Sequence, residues 1–430
     1  MKYIFFIILF TIQINFSNAT ELLIYLESAH KNNPLLNSER ENFKATKENI
    51  NISISKFLPN ISVSGSQSSQ KNTNSTNKSG AKISDSNNDT FTETISVDQK
   101  IFQGFDGYNN LRKSKIEVEQ ANFKLKNTEQ QTLLNSARAY YDLIFKIDSQ
   151  KINKDNVDLF ERQVESDSSR LQKGEITLTD LAQSESSLAG AIAALITSET
   201  ELATAKTNFE RIIRMAAPNT IEDDYRFDIN LPENLLSALS LSEKNNPKLI
   251  LAKLDYEIAE KEVFIQKGQF SPSASVNYTQ SKNKDFSSTI EDIDRETVKA
   301  TIKWPLFKGG ENYSSLRKAK FKKEQNKLIL QDTINEVKTD TSNAWSVFKS
   351  SAGVLRSTQS AVKAAEIANE GITLEYDSGN KRTTLEVIQS RSLLLNSRIN
   401  NAKAKRDFVI SKFKLLSVLG ELTLDSLKNS

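Results

Sequence analysis

The chain has 430 residues, of which 37% are apolar, 13 are glycine and 7 are proline, a thin apolar content for a compact globule of that length. Its 57 basic and 54 acidic side chains nearly cancel, to a net +3, which speaks against a nucleic-acid partner because such a partner calls for a net basic face. With no cysteine and one histidine, His30, the chain offers no disulfide framework, zinc-thiolate site, cysteine nucleophile, cysteine-linked lipid or histidine-based metal site.

At the N-terminus, Met1-Lys2 supplies a basic start, Tyr3 to Phe10 an apolar run and Ser17-Asn18-Ala19 a small-x-small cleavage signal. Together they predict a secretory signal peptide over residues 1–19. The apolar run is shorter than the roughly 20 residues a membrane-spanning helix needs, and no later segment reaches that length. A first structural repeat, 20–217, begins with a helix carrying His30 and Asn32-Asn33-Pro34. A β-hairpin follows over about 57–103, opened by Phe57-Leu58-Pro59 and alternating weakly through Ile61, Val63, Gly65, Ile95 and Val97. Gln67 to Thr90, almost wholly Ser, Asn, Thr and Lys, reads as a long external loop between its strands.

Ile101 to Lys115 then reads IFQGFDGYNNLRKSK, a strand end, a glycine turn at Gly104 and a helix start. Residues 60–217 contain no proline, which permits very long helices. The spacing predicts a helical hairpin over about 105–217, with an apolar seam at Leu133, Ala137, Tyr140, Ile144 and Ile147 and a tip at Gly174. At 1.5 Å per residue its first arm is roughly 90–100 Å long. Residues 218–234 form a linker, and the pattern starts again.

The second repeat, 235–420, has a helix with Asn245-Asn246-Pro247, a β-hairpin over about 270–308 opened by Phe270-Ser271-Pro272, and a helical hairpin over about 311–420 with its tip at Gly379. Its alternation is stronger: Ala274, Val276 and Tyr278, then Val298, Ala300, Ile302 and Trp304, separated by polar residues. Leu306 to Lys320, LFKGGENYSSLRKAK, repeats the earlier phrase with Gly309 in place of Gly104. The repeat offset is 213 at the proline motifs, 205 at the phrase and 206 from Thr179–Ser184 to Leu385–Ser390, so the first copy carries eight more residues between 59 and 101. Residues 421–430 are a tail. Glycine tolerates the angles a strand-to-helix junction needs, and neither phrase has the spacing of a phosphate-binding loop. The alternating segments fit a half-buried sheet or a transmembrane β-barrel, and the long polar loop favours the barrel.

In the order and duplication of these motifs, and in Tyr376-Asp377-Ser378-Gly379 leading to Leu385-Glu386-Val387-Ile388, the mature chain resembles the TolC-like outer-membrane efflux proteins. The resemblance implies an α+β membrane protein: a homotrimer in outer-membrane lipid, four strands per subunit in a twelve-stranded transmembrane β-barrel, and long antiparallel helical hairpins in a periplasmic α-barrel. Closure by association suits four strands, whose edges lipid cannot satisfy, since single-chain barrels start at about eight. It further implies a passive channel-tunnel for efflux or type I secretion, with a periplasmic adaptor and an inner-membrane pump of RND, ABC or MFS type, no nucleic acid, no cofactor and no catalysis. Carried over by position, Asp180 accepts a hydrogen bond from Tyr376 in a gate latch with Lys381 or Arg382 as the cation. Glu386 lines a constriction ring in which Gln389 replaces a second acid, and Gly174 and Gly379 mark the adaptor-docking tips. Gly104 and Gly309 are the strand-helix junctions; Val298, Ala300, Ile302 and Trp304 face lipid, with Trp304 near the periplasmic interface. The family's proline before the junction is present as Pro305, but the first copy has Lys100, and Gly379 to Glu386 is one residue longer than Gly174 to Asp180. Two rivals are an exported helical coiled-coil structural or adhesive protein, which leaves the doubled junction unexplained, and a hydrolase, for which the chain offers scattered carboxylates that read as solvated helix faces.

Overall fold

A computed structural model describes residues 21–221, 231–287, 290–378 and 382–428. The expected signal peptide, most of the 218–234 linker, Gly379 and Lys381 lie outside the described residues. In chain order the elements are α1 (Glu21–Asn32), α2 (Pro34–Ser55), β1 (Asn60–Asn72), β2 (Ser86–Gln103), α3 (Asp106–Gln172), α4 (Leu178–Ile213), α5 (Leu235–Asn245), α6 (Pro247–Gly268), β3 (Ser273–Ser287), β4 (Ile290–Lys303), α7 (Glu311–Asp377), α8 (Thr384–Leu419) and α9 (Leu424–Lys428). Duplication is visible in the lengths: α2 and α6 have 22 residues each, α3 and α7 67 each, α4 and α8 36 each. No described helix is long and apolar enough to cross a membrane.

Proline sets the first helix breaks. Pro34 and Pro247 are the first residues of α2 and α6, where a missing N–H costs nothing because that donor has no partner in the helix. Asn33 Oδ1 accepts from the N–H groups of Leu35 and Leu36 at 2.9 and 3.2 Å and caps α2.

The chain divides into two units. One contains residues 40–125 and 248–334 and holds the sheet, in the order β1-β2-β3-β4 with every pair antiparallel. Ile61 stands opposite Val97, Val97 opposite Tyr278 and Tyr278 opposite Val298. With side chains alternating along each strand, this register collects Ile61, Val63, Ile95, Val97, Ala274, Val276, Tyr278, Val298, Ala300 and Ile302 on one face. The opposite face carries Ser62 and Ser96, joined at 2.7 Å, and Asp98 and Asn277, also at 2.7 Å.

Two expectations are corrected in this unit. The stretch 67–90 is not a long loop: β1 runs on to Asn72 and β2 starts at Ser86, with Gln67 paired to Phe91 and Asn72 to Ser86, leaving only 73–85 as the connection. Ladder bonds are made by the backbone, so once apolar rows fix the register, polar side chains can continue the strands on both faces. Trp304, expected within the strand alternation of a hairpin reaching about 308, lies one residue past the strand. β4 ends at Lys303, and the Trp304 indole N–H donates to the Phe270 carbonyl at 3.0 Å.

Both junction glycines are left-handed, Gly104 at φ 62° and Gly309 at φ 57°. At Gly104 a second constraint applies, because a Cβ there would collide with the Gly268 carbonyl. Any side chain at 104 therefore has to part the start of α3 from the end of α6.

The other unit contains residues 1–39, 126–247 and 335–430. Its core joins α1, α3, α4, α8 and α9 around Leu26, Tyr140, Tyr141, Phe209 and Phe413, all at most 1% exposed. Tyr25 meets Phe209 edge-on at 5.1 Å. The expected seam is here: Leu133, Ala137, Tyr140 and Ile144 are buried and Ile147 packs against them. His30 sits on α1 and pairs with Glu129 at 2.8 Å. Within the expected tail, α9 buries Leu427 and Lys428 reaches Glu27 at 2.7 Å.

Candidate functional site

The second helices of the two hairpins, α4 and α8, begin on one plan. After α3, Gly174 adopts φ 72°, its N–H donates to Leu171 O and the Glu175 N–H to Arg170 O, both at 2.9 Å, the bond pair of a Schellman closure. Thr177 then caps α4: its hydroxyl accepts from the Asp180 N–H at 3.3 Å, while the Asp180 carboxylate accepts from the Thr177 N–H and hydroxyl at 2.9 and 2.8 Å. Thr383 and Glu386 cap α8 in the same way, at 3.3, 2.8 and 3.1 Å. Thr177 and Thr383 are 206 apart and Gly174 and Gly379 are 205 apart, so the extra residue of the second tip lies between Gly379 and its cap.

Backbone hydrogen bonds from Thr177 and Thr383 hold the Asp180 and Glu386 carboxyls below their ordinary range. A depressed native pKa adds stability that is present at neutral pH and is lost as the pH falls through the lowered value. Nicking of the tips by an acid protease is therefore expected to rise as the pH falls below the ordinary carboxylate range, and Asp180→Asn should flatten that dependence at the first tip. Thr177→Ala or Thr383→Ala should each cost about 1 kcal/mol, read as a drop in the thermal midpoint in detergent.

Behind the tips lies a buried polar cluster that joins the two hairpins. Asp167 of α3 is completely buried. One carboxylate oxygen accepts from the Tyr376 hydroxyl of α7 at 2.6 Å, the other from the Ser184 hydroxyl of α4 at 2.5 Å, and both accept from Gln163 at 2.9 and 3.0 Å. Tyr376, 2% exposed, also shares a 3.0 Å bond with Thr384 at the start of α8. The Arg170 guanidinium lies 4.2 Å from the Tyr376 ring centre. Arg391 of α8 is buried as well and donates to the Leu159 carbonyl at 2.9 Å. Burial pushes the Tyr376 phenol up, and the bond to Asp167 adds to the shift; burial pulls the Arg391 guanidinium down, against the attraction of Asp167 and Asp377. One carboxylate thus touches three of the four hairpin helices, and Tyr376 links it to the fourth.

This arrangement corrects the expected latch. Tyr376 does not bond Asp180, because Asp180 spends its carboxylate on its own helix cap, whereas Asp167 points into the packed face of α3. Arg382 bridges Glu375 and Glu386 of its own hairpin at 2.7 and 2.9 Å, and so does not reach across to Asp180. Glu386 is tied to its cap and to Arg382, and Gln389, three residues on, is exposed. A sequence signal for Asp167 exists. Val157, Phe160, Gln163 and Asp167 follow one another at spacings of three and four, so the acid occupies a seam position.

A family profile described as "Outer membrane efflux protein" matches residues 25–213 and 238–421. The chain is 26% identical to the outer membrane efflux protein BepC of Brucella suis over 94% of this chain and 86% of that one. It is 22% identical to the outer membrane protein TolC of Vibrio cholerae over 94% of this chain and 92% of that one. The Campylobacter jejuni CmeC outer membrane channel superposes with a TM-score of 0.83 at 16% identity, covering 95% of this chain and 88% of that one.

Proposed function

The chain belongs to the outer membrane efflux protein family, and from that premise we propose that three copies close one twelve-stranded barrel whose periplasmic entrance is held shut by the Asp167–Tyr376 cluster. It is an outer-membrane channel-tunnel that extends into the periplasm and serves efflux or secretion. The observation that carries the trimer is the sheet. Four strands present one registered apolar face and two unpaired edges, β1 and β4, and lipid offers no partner for an open edge.

On this reading Val298, Ala300 and Ile302 face lipid, and Trp304 holds the periplasmic interface, where indole rings favour the headgroup layer. Substrates move through a continuous duct, and an inner-membrane pump of RND, ABC or MFS type supplies the energy through a periplasmic adaptor docked at the tips near Gly174 and Gly379. Glu386 and Gln389 line the constriction, where three copies of Glu386 about one axis concentrate negative potential and favour cations. Opening moves the α7–α8 hairpin away from α3 and α4, which breaks the bond Tyr376 makes to Asp167 and keeps its bond to Thr384 within the hairpin.

The test is reconstitution. The purified chain is expected to need detergent, to run as a heat-modifiable trimer and to form cation-selective channels in planar bilayers. A detergent-free elongated protein without channel activity would overturn the proposal.

A further inference from the structure

The internal duplication lets the seam between copies be read from the joint inside one copy. Paired residue numbers add to 158 across β1–β2 and, as far as Lys284, to 576 across β3–β4, and the difference, 418, equals the two repeat offsets of 213 and 205 taken together. Both hairpins therefore keep the same register, with Asn60–Asn72 of β1 mapping onto β3 and β2 mapping onto β4 as far as Asp98, the equivalent of Lys303. Across the joint between the repeats, β2–β3, paired numbers add to 375 as far as Lys100. Adding 205 to the β2 member and subtracting 213 from the β3 member gives the image of this joint, a pairing of β4 with β1 whose numbers add to 367. Within one copy β1 and β4 are the outer strands and do not pair.

We infer that β4 of one copy pairs antiparallel with β1 of a second copy in this register, with Lys299 opposite Ser68, Ala300 opposite Gln67 and Ile302 opposite Gly65. The register keeps each face on one side across the seam: Ile302 and Ala300 meet Gly65 and Gln67, β1 residues of the same parity as Ile61 and Val63. It also sets Glu296 opposite Lys71, an opposite-charge pair of the kind that Glu93 and Lys282 form across β2–β3. A slip of one residue would send the apolar set of one copy to the polar face of the next. At helix level the image is not perfect. The position equivalent to Gly268 is Ser55, and a Cβ at Gly268 would crowd the Gly104 carbonyl, so Ser55 of a second copy holds the Gly309 turn farther away than Gly268 holds Gly104. Each copy thus has a tight joint within it and a wider one to its neighbour. The inference rests on the trimer proposed above and adds the residue pairing.

The cysteine-free chain makes the test direct. Lys299→Cys/Ser68→Cys and Ala300→Cys/Gln67→Cys are oxidised with copper–phenanthroline in outer-membrane vesicles. Successive antiparallel pairs alternate between wider and narrower Cα spacing, so testing both covers either geometry. At least one is expected to convert the monomer band to reducible dimers and trimers in denaturing gels. The shifted pairs Lys299→Cys/Ser66→Cys and Lys299→Cys/Gln70→Cys are expected to leave it, since diagonal neighbours stand roughly 7–8 Å apart and a disulfide reaches about 7 Å. Single-cysteine variants report background, and heat-modifiable mobility before oxidation reports assembly. Stronger cross-linking of a shifted pair in an assembled trimer would overturn the register and leave the trimer standing. A chain that is monomeric by native mass and cross-links in no pair would overturn both.

Discussion

Ile302→Arg is expected to deplete the heat-modifiable trimer in outer membranes, while Lys303→Arg leaves it near the wild-type amount. Ile302 is 79% exposed in a single copy and lies midway along an exposed apolar run from Val298 through Trp304 to Leu306 and Phe307. On the lipid-facing reading it lies in the apolar band two residues from Trp304 at the interface, so an arginine there costs part of the about 2–4 kcal/mol that it costs at mid-membrane. The cost recurs in all three copies of one barrel. Lys303 has the opposite parity and belongs to the polar face with Lys299 and Thr301, so exchanging one cation for another there leaves the solvation unchanged. Trimer yield, measured by gel mobility before and after heating, separates the two. Equal losses for both would reverse the assigned faces, and no loss for either would remove the apolar face from contact with lipid.

The features legible in the sequence are those that local chemistry alone enforces. Gly104 and Gly309 stand at left-handed positions where a strand turns into a helix, so the same phrase had to be written twice. Pro34 and Pro247 mark helix starts because their missing N–H is tolerated only there. The apolar alternation of β4 identified its face, and pairing then placed the weaker alternation of β1 and β2 on the same side.

What stayed hidden depends on partners far along the chain. Gln67 to Asn72 and Ser86 to Thr90 look like loop because nothing in serine, asparagine and threonine shows that the backbone is paired, yet the ladder continues through them. Asp167 was missed for a related reason. Its burial requires Tyr376, 209 positions later, and Ser184, 17 positions later, to converge on it, whereas Asp180 attracts notice by standing beside a tip. The threonine three residues before each tip acid was the available sign that Asp180 and Glu386 are committed to capping.

Tyr376→Phe is expected to raise single-channel conductance in planar bilayers, and Asp167→Asn to raise it too, while Asp180→Asn leaves it unchanged. The phenylalanine keeps the buried ring and its contact with Arg170 but removes the hydroxyl that joins α7 to Asp167 and Thr384. A hydrogen bond to a charged group contributes about 1.5–3 kcal/mol, so three subunits lose roughly 4.5–9 kcal/mol of closed-state stabilisation. Reversing a two-state equilibrium from 1:99 to 99:1 takes about 5.5 kcal/mol, which places the triple loss in the range that opens a closed gate. Asp167→Asn keeps the shape and withdraws the charge that Tyr376, Ser184 and Gln163 all donate to, and it leaves Arg391 buried with less compensation. Its thermal midpoint should fall along with the rise in conductance. Asp180→Asn weakens one cap and touches neither Tyr376 nor Asp167, so it separates tip stability from gating. If Asp167→Asn lowers the midpoint while both it and Tyr376→Phe conduct like the wild type in assembled trimers, the cluster is a structural joint and the gate lies elsewhere. If Asp180→Asn alone opens the channel, the latch returns to the tip.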